Sequence, residues 1–195
     1  MQNDISGTRI LPFYVLCEES ESMSTNGGID AMNSFLPELH GTFASDPLLS
    51  QLSIGVLAFS DVAEELMPLS NLRDVRAITG LKARNLANFG EAFRQLRTII
   101  TRDVEYLRTR GATVYRPVVL FITDGDSTDE WESDHHLLTD IKVNPFAPRI
   151  IAFGAAEAQP ETIMKIGTAG YAIANLEFDP AGYVKELLYR ILNAV

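Results

Sequence analysis

The sequence predicts an α/β fold: a Rossmann-like, doubly wound, mostly parallel central sheet with helices on both faces and one short antiparallel edge strand. Three observations carry this. Continuous apolar runs suited to strands buried on both faces occupy residues 12–17, 53–59 and 117–123. Helix-period stripes separate strands, the alternation that builds parallel sheets through right-handed crossovers. Two of the runs stop abruptly at oxygen-bearing side chains, as strands do where an open sheet presents chemistry at its carboxyl edge.

Residues 12–17 form the first strand. A loop with Asn26-Gly27-Gly28 then leads into a helix whose Ile29, Met32, Phe35, Leu36, Leu39 and Phe43 share one face, with Pro37 placed to kink it. Asp46-Pro47 turns the chain out. After the 53–59 strand, Ser60-Asp61 is a tight turn into a short strand over 62–66. The tightness makes that pair antiparallel and puts the short strand at the edge, where Pro68 is tolerated. Residues 70–88 read as irregular. Phe89, Ala92, Phe93, Leu96, Ile99, Ile100, Val104 and Leu107 trace a long amphipathic helix ended by Gly111, with Arg94, Arg97, Arg102 and Arg108 largely off its stripe. The strongest strand, 117–123, is followed by a short helix over 133–141, a strand over 149–153, a helix over 160–166 and a last strand over 171–175. Asp179 caps a final helix with Pro180 at its first position, and Val184, Leu187, Leu188, Ile191 and Leu192 form its buried side.

No linker, low-complexity tract or internal repeat interrupts the 195 residues, so one domain is expected over 1–195, with its core at about 11–194. Hydrophobic residues make up 46% and charged residues 22%, which supplies a sizeable core and disfavours disorder. The net charge of −10 disfavours nucleic acid and anionic membranes as partners. Charge is unevenly spread. Between Arg9 and Arg73 there is no Lys or Arg but nine acids, whereas residues 73–116 carry ten basic and four acidic side chains. This fits a solvated helix face with loops, or two oppositely charged surfaces for different partners. Cys17, the only cysteine, permits no internal disulfide and fits a reducing compartment. Burial and the acids behind it raise a thiol pKa, so it reads as a space-filler, not a nucleophile. The first residues lack a basic and apolar leader pattern and no run reaches transmembrane length, which points to a soluble, cytoplasmic protein.

The oxygen-rich strand ends are Glu18-Glu19-Ser20-Glu21-Ser22-Met23 and Asp124-Gly125-Asp126-Ser127-Thr128-Asp129. A dinucleotide site is set aside, because Glu18, Glu19 and Glu21 stand where glycines would have to admit a pyrophosphate. Asp124-Gly125-Asp126-Ser127-Thr128 matches the DxDx[TV] motif of haloacid-dehalogenase-like phosphatases, in which the first Asp is the nucleophile and the second an acid/base, with magnesium offsetting the charge. The further acidic pair of that family, commonly GDxxxD, is missing, and the motif comes late in the chain.

The first strand end also resembles the DxSGS-Met signature of von Willebrand factor A domains, and Ile122-Thr123-Asp124-Gly125 resembles their later TDG segment. The 53–59 strand with its return strand and the helix start Phe89-Gly90-Glu91-Ala92-Phe93 fall in the order of that family. The resemblance runs from about Leu11 to the last helix. Leu11-Pro12, Met67-Pro68-Leu69 and Thr128-Asp129-Glu130-Trp131 look most like a small bacterial group associated with tellurite resistance. The resemblance implies a metal-ion-dependent adhesion site. Two Ser hydroxyls and a Thr hydroxyl contact Mg²⁺ or Mn²⁺, aspartates hold coordinated waters, and an open position accepts a carboxylate from a partner protein. It implies docking, not catalysis, and for tellurite-resistance-type relatives it implies phosphatase and kinase partners. Such a site suits magnesium, a hard octahedral ion that keeps waters and takes few direct carboxylates.

Ser20 and Ser22 match the signature serines, and Asp124 matches the later aspartate. The leading Asp is Glu18, one methylene longer. The Gly between the serines is Glu21, where a side chain is costly if φ is positive. With Gly90 and Ala92 aligned on T-x-x-G-x-A, the Thr position is Ala87, and a methyl cannot ligate. The expectation is a degenerate site. Glu18, Ser20, Ser22 and Asp124 remain of the metal set, and Glu19, Glu21 and Asp126 form an acidic partner-binding rim. Four outcomes stay open: no significant metal; an altered site in which Glu18 or Glu21 supplies an oxygen and Ca²⁺ is tolerated; Glu21 in the place of the partner's carboxylate; or a functional adhesion site. Affinity for Mg²⁺, Mn²⁺ or Ca²⁺ should be weakened, since losing one supporting group alone costs about 10–100-fold. Without metal, the five acids would crowd, raise one another's pKa and suit a Lys or Arg from a partner.

His135 and His136 are adjacent on a helix and do not share a face, so a surface or capping role is expected. Trp131 and Phe146 either anchor the connection after the central strand or form a partner patch. No Ser–His–Asp order or HExxH pattern offers hydrolytic chemistry.

Overall fold

A computed structural model describes residues 5–25, 27–75, 80–82, 84, 86–155, 158–173 and 179–193. The central strand, β1 (Arg9–Glu18), outruns its apolar stretch because Arg9 and Ile10 pair with a two-residue strand, β4 (Thr113–Val114), that no sequence pattern announces. β2 (Leu52–Phe59) lies parallel on one side of β1 and β5 (Val118–Thr123) on the other. Antiparallel β3 (Ala63–Asn71) closes the β2 edge, while β6 (Arg149–Gly154) and β7 (Gly170–Ile173) continue in parallel beyond β5. The order is β3-β2-β1-β5-β6-β7, the predicted class.

The edge strand is not short. It runs nine residues, through Pro68 and into the region read as irregular. The register slips between Ile54 and Val56, and Pro68 falls within that slip. A residue without an N–H is tolerated in a bulge on an edge. A five-residue helix, α1 (Glu21–Thr25), replaces the loop expected after β1. Pro37 lies inside α2 (Gly28–Ala44) without interrupting it, and a 3-10 turn follows at Pro47–Leu49. The sequence places α3 (Phe89–Thr109), α5 (Pro160–Ile166) and α6 (Pro180–Asn193) well, and α4 (Glu132–Thr139) to within two residues. Residue 26 of the predicted loop, residues 174 and 175 of the predicted last strand, and residue 194 lie outside the described residues.

Alternation along the strands feeds two cores. Phe13, Val15, Ile54, Val56 and Leu120 pack under α2 and α6, against Leu36, Leu39, Phe43, Val184 and Leu188. Tyr14, Leu16, Leu57, Val119 and Phe121 pack under α3, α4 and α5. That second core is aromatic: Phe59, Phe89, Phe93, Phe121 and Trp131 meet with ring centroids 5.1–6.3 Å apart. Trp131 is therefore an anchor, and Phe146 receives the Arg108 guanidinium 4.9 Å from its ring centre. His135 Nε2 meets the last carbonyl of α5, Ile166 O, at 3.0 Å, a C-terminal cap, while His136 is exposed beside Asp140. Among the described residues no helix is long and apolar enough to cross a membrane.

Candidate functional site

The chain winds from β1 outward to β2 and β3, then restarts on the other side with β5, β6 and β7. The crevice of such a sheet opens where the order reverses, between the carboxyl ends of β1 and β5. Cys17 pairs with Ile122, so Glu18 and Thr123 leave the sheet side by side. The two oxygen-rich strand ends thus meet. Cys17 itself is buried, and burial pushes its thiol up, with Glu19 adding to the shift.

Glu18 is buried and turned onto Thr123, whose hydroxyl donates to Oε2. Burial pushes its carboxyl up, hydrogen bonds from Ser20 and Thr123 oppose that, and the Asp124 charge adds a smaller upward push. The Glu18 rise thus comes first from desolvation and not from the mutual repulsion expected among the acids. The Ser20 and Ser22 hydroxyls lie 2.7 Å apart, and Ser22 donates to Asp124 Oδ1 at 2.9 Å. Glu21 opens α1 with helical backbone, so its side chain meets no left-handed penalty, and it is exposed, as is Asp126.

Glu19 does not stand on a partner-facing rim. Only 2% exposed, it points into the segment before α3. Its Oε1 accepts the Lys82 N–H at 2.8 Å, its Oε2 lies 3.3 Å from Arg84 Nε, and its carbonyl accepts the Arg84 N–H at 2.5 Å. Burial raises the Glu19 pKa, and the Lys82 N–H and Arg84 work against that rise. The Arg84 guanidinium also grips Glu64 of β3 with two bonds, of 3.0 and 2.6 Å.

Ala87 is buried beside the loop that follows β5, and its carbonyl accepts the Thr128 N–H at 2.9 Å. That loop also caps α3. Ser127 Oγ accepts the Phe89 N–H at 3.2 Å, and Asp129 Oδ1 accepts the Gly90 N–H at 3.1 Å. Gly90 is required by this closeness: a Cβ there would stand 2.8 Å from Asp129 Oδ2 and 3.0 Å from the Glu130 carbonyl.

The implied ion asks for three hydroxyls. Ser20 and Ser22 offer two, position 87 offers a methyl, and the Glu18 carboxylate is engaged by Thr123. The residues present do not make up that set. Among the described residues, no three or more His, Cys, Asp or Glu side chains gather to hold a metal. Sequence reasoning missed Thr123, Arg84, Ser127 and Asp129. Thr123 lay within the quoted TDG segment, but its partner is 105 residues away.

The family model for the von Willebrand factor type A domain matches residues 13–180. A comparison with curated proteins gave no match. Among solved structures, proximal thread matrix protein 1 from the mussel byssus, described with a zinc-occupied MIDAS motif, superposes with TM-score 0.56 at 13% identity, covering 97% of this chain and 46% of that one. The ArnB paralog VWA2 from Sulfolobus acidocaldarius gives TM-score 0.60 at 20% identity, over 95% of this chain and 45% of that one. BatB from Bacteroides thetaiotaomicron gives TM-score 0.66 at 10% identity, over 94% and 99%. The chain thus spans under half the length of the mussel and Sulfolobus proteins. None of these likenesses supports the phosphatase alternative. With its mostly parallel sheet and a family match over residues 13–180, the chain belongs to the von Willebrand factor type A domain family.

Proposed function

We propose that this chain is a non-enzymatic protein-binding module that docks its partner at the carboxyl edge of the sheet, through an adhesion site whose metal chemistry is degenerate. The observation that carries the proposal is the methyl of Ala87 where the family pattern has a metal-binding threonine hydroxyl. The inward turn of Glu18 onto Thr123 supports it, since that carboxylate is already satisfied by protein. Exposed Glu21 and Asp126 leave negative charge at the rim, which suits a Lys or Arg on the partner better than the carboxylate that a metal would capture. The partner is a protein, with phosphatases and kinases the first candidates. That choice rests on the tellurite-resistance-type residues Leu11-Pro12, Met67-Pro68-Leu69 and Thr128-Asp129-Glu130-Trp131, and carries with it a cytoplasmic, bacterial setting.

Calorimetric titration with Mg²⁺, Mn²⁺ and Ca²⁺ tests the metal half. The expected result is no saturable binding, and micromolar Mg²⁺ affinity would overturn the proposal. Glu18→Asp combined with Ala87→Thr should bring Mg²⁺ binding back. Against phosphatase and kinase partners, a Glu21→Lys, Asp126→Lys variant should bind more weakly than the unaltered chain, with little dependence on magnesium. Magnesium-dependent turnover of a generic phosphate ester, abolished by Asp124→Asn, would overturn the non-enzymatic half.

A further inference from the structure

Three loops converge at the crevice: residues 18–22 after β1, the segment leading to α3, and residues 124–129 after β5. In the metal-bound pattern the ion draws ligands from all three and so holds them together. Here two of the three joints are made by protein hydrogen bonds alone. The first and third loops join through Ser22–Asp124 and Thr123–Glu18. The second and third join through Thr128 N–H to Ala87 O, Thr128 Oγ1 to Asn88 Oδ1 at 2.7 Å, and the two caps from Ser127 and Asp129.

We propose that Glu19 makes the remaining joint and thereby does, as a positioning residue, the mechanical work of the metal: it fastens the segment before α3 to the end of β1, so that the docking platform assembles without an ion. This rests on the degenerate-site reading above. Glu19 is itself held in place, because its N–H donates to Phe59 O at 2.8 Å. All three of its oxygens then face one segment, taking Lys82 N–H, Arg84 Nε and Arg84 N–H. A carboxylate buried this deeply must be satisfied, and N–H donors together with a guanidinium do so strongly. Arg84 extends the joint to the edge strand through its paired bonds to Glu64, so the segment is pinned to two strands at once. An ion would need the third hydroxyl that Ala87 lacks; this clasp uses two main-chain N–H groups and the Arg84 side chain.

Hydrogen exchange of the whole chain, read at the Lys82 and Arg84 amides, tests this. In the unaltered protein their exchange should be the same in EDTA and in millimolar Mg²⁺. Glu19→Gln, and separately Arg84→Gln at a partly exposed position that folding tolerates, should speed exchange there by about tenfold or more while β5 and α6 amides keep their protection. Slower exchange on adding Mg²⁺, or unchanged exchange in Arg84→Gln, would overturn the proposal. If Mg²⁺ binds, the degenerate-site reading fails; if it does not bind and the variants leave the segment unchanged, only the clasp fails.

Discussion

Neighbouring glutamates of the edge strand, Glu64 and Glu65, each receive an arginine through two hydrogen bonds, and each arginine also touches a more buried carboxylate. On one side the chain of contacts is Glu64–Arg84–Glu19. On the other it is Glu65–Arg102–Asp103, and Asp103 accepts the Tyr14 hydroxyl at 3.0 Å. Successive residues of a strand face opposite ways, so one strand serves both. What differs is what the arginine stands on. Arg102 belongs to α3, whose Phe89, Phe93, Leu96 and Ile100 are buried in the aromatic core. Arg84 belongs to the segment before α3, whose described residues 80–82, 84 and 86–88 lie in no helix or strand. The same ionic device therefore lies beside a packed helix in one place, and in the other shares the fastening of its segment with buried Leu81 and that residue's two bonds to Asn33 of α2. Burial pushes Asp103 up, while Arg102 and the Tyr14 hydroxyl oppose the push, so this carboxylate too is kept by its donors.

Removing packing under α3 tests the packed side most severely. Phe93→Ala should cost about 3–5 kcal/mol in urea unfolding, far more than any change to the ionic groups beside it. Gly90→Ala places a methyl against Asp129 and the Glu130 carbonyl. It should cost about 1–3 kcal/mol and separate the β5 loop from α3, seen as faster exchange at Phe89 and Gly90. Tyr14→Phe removes a buried donor from Asp103, with an expected loss of about 1–2 kcal/mol in thermal unfolding. Arg102→Gln and Arg84→Gln, both partly exposed, should each change global stability by under about 1 kcal/mol. They should nevertheless differ locally: α3 amides stay protected without Arg102, whereas the Lys82 region opens without Arg84. Equal local effects would end the distinction between the two sides.

The gentlest probe is pH. Burial lowers the pKa of His135 below its ordinary 6.5, with the Ile166 carbonyl opposing the shift. The neutral ring is thus favoured by folding. Below about pH 6.5 the unfolded chain binds the proton first, so stability is full above that value and falls as pH drops toward the folded pKa. His135→Gln should flatten that part of the profile measured by urea unfolding. A stability that rises on acidification through this window would contradict the assigned burial.

The strands and helices were legible because their signals are local. Continuous aliphatic runs marked β1, β2 and β5, and a period of 3.6 marked α2, α3 and α6. The two-residue β4 has no pattern of its own, and it exists because β1 overhangs the sheet. The extension of β3 past residue 66 rests on the slip in its pairing with β2 around Pro68, and a bulge has no local signature in the sequence. At the site, Ser20, Ser22, Asp124 and Ala87 could be aligned from motif spacing, and Ser22 does meet Asp124. Glu19 could not be placed that way. As one acid among three it looked like surface charge, and only its neighbours reveal that it is buried.

By itself the sequence determined the α/β class, the strand that ends in oxygens, the family resemblance and a methyl at position 87. Those follow from side-chain period and residue type, which neighbouring residues express. The tertiary structure decided which oxygens are turned inward, which arginine answers which carboxylate, and how three loops are tied. The partners involved lie 38 to 105 residues apart in Phe89–Ser127, Lys82–Glu19 and Thr123–Glu18. At such separations chain order carries no preference for one donor over another; burial at the switch point between β1 and β5 makes the choice, because a desolvated carboxylate must take whatever donors the fold brings within reach.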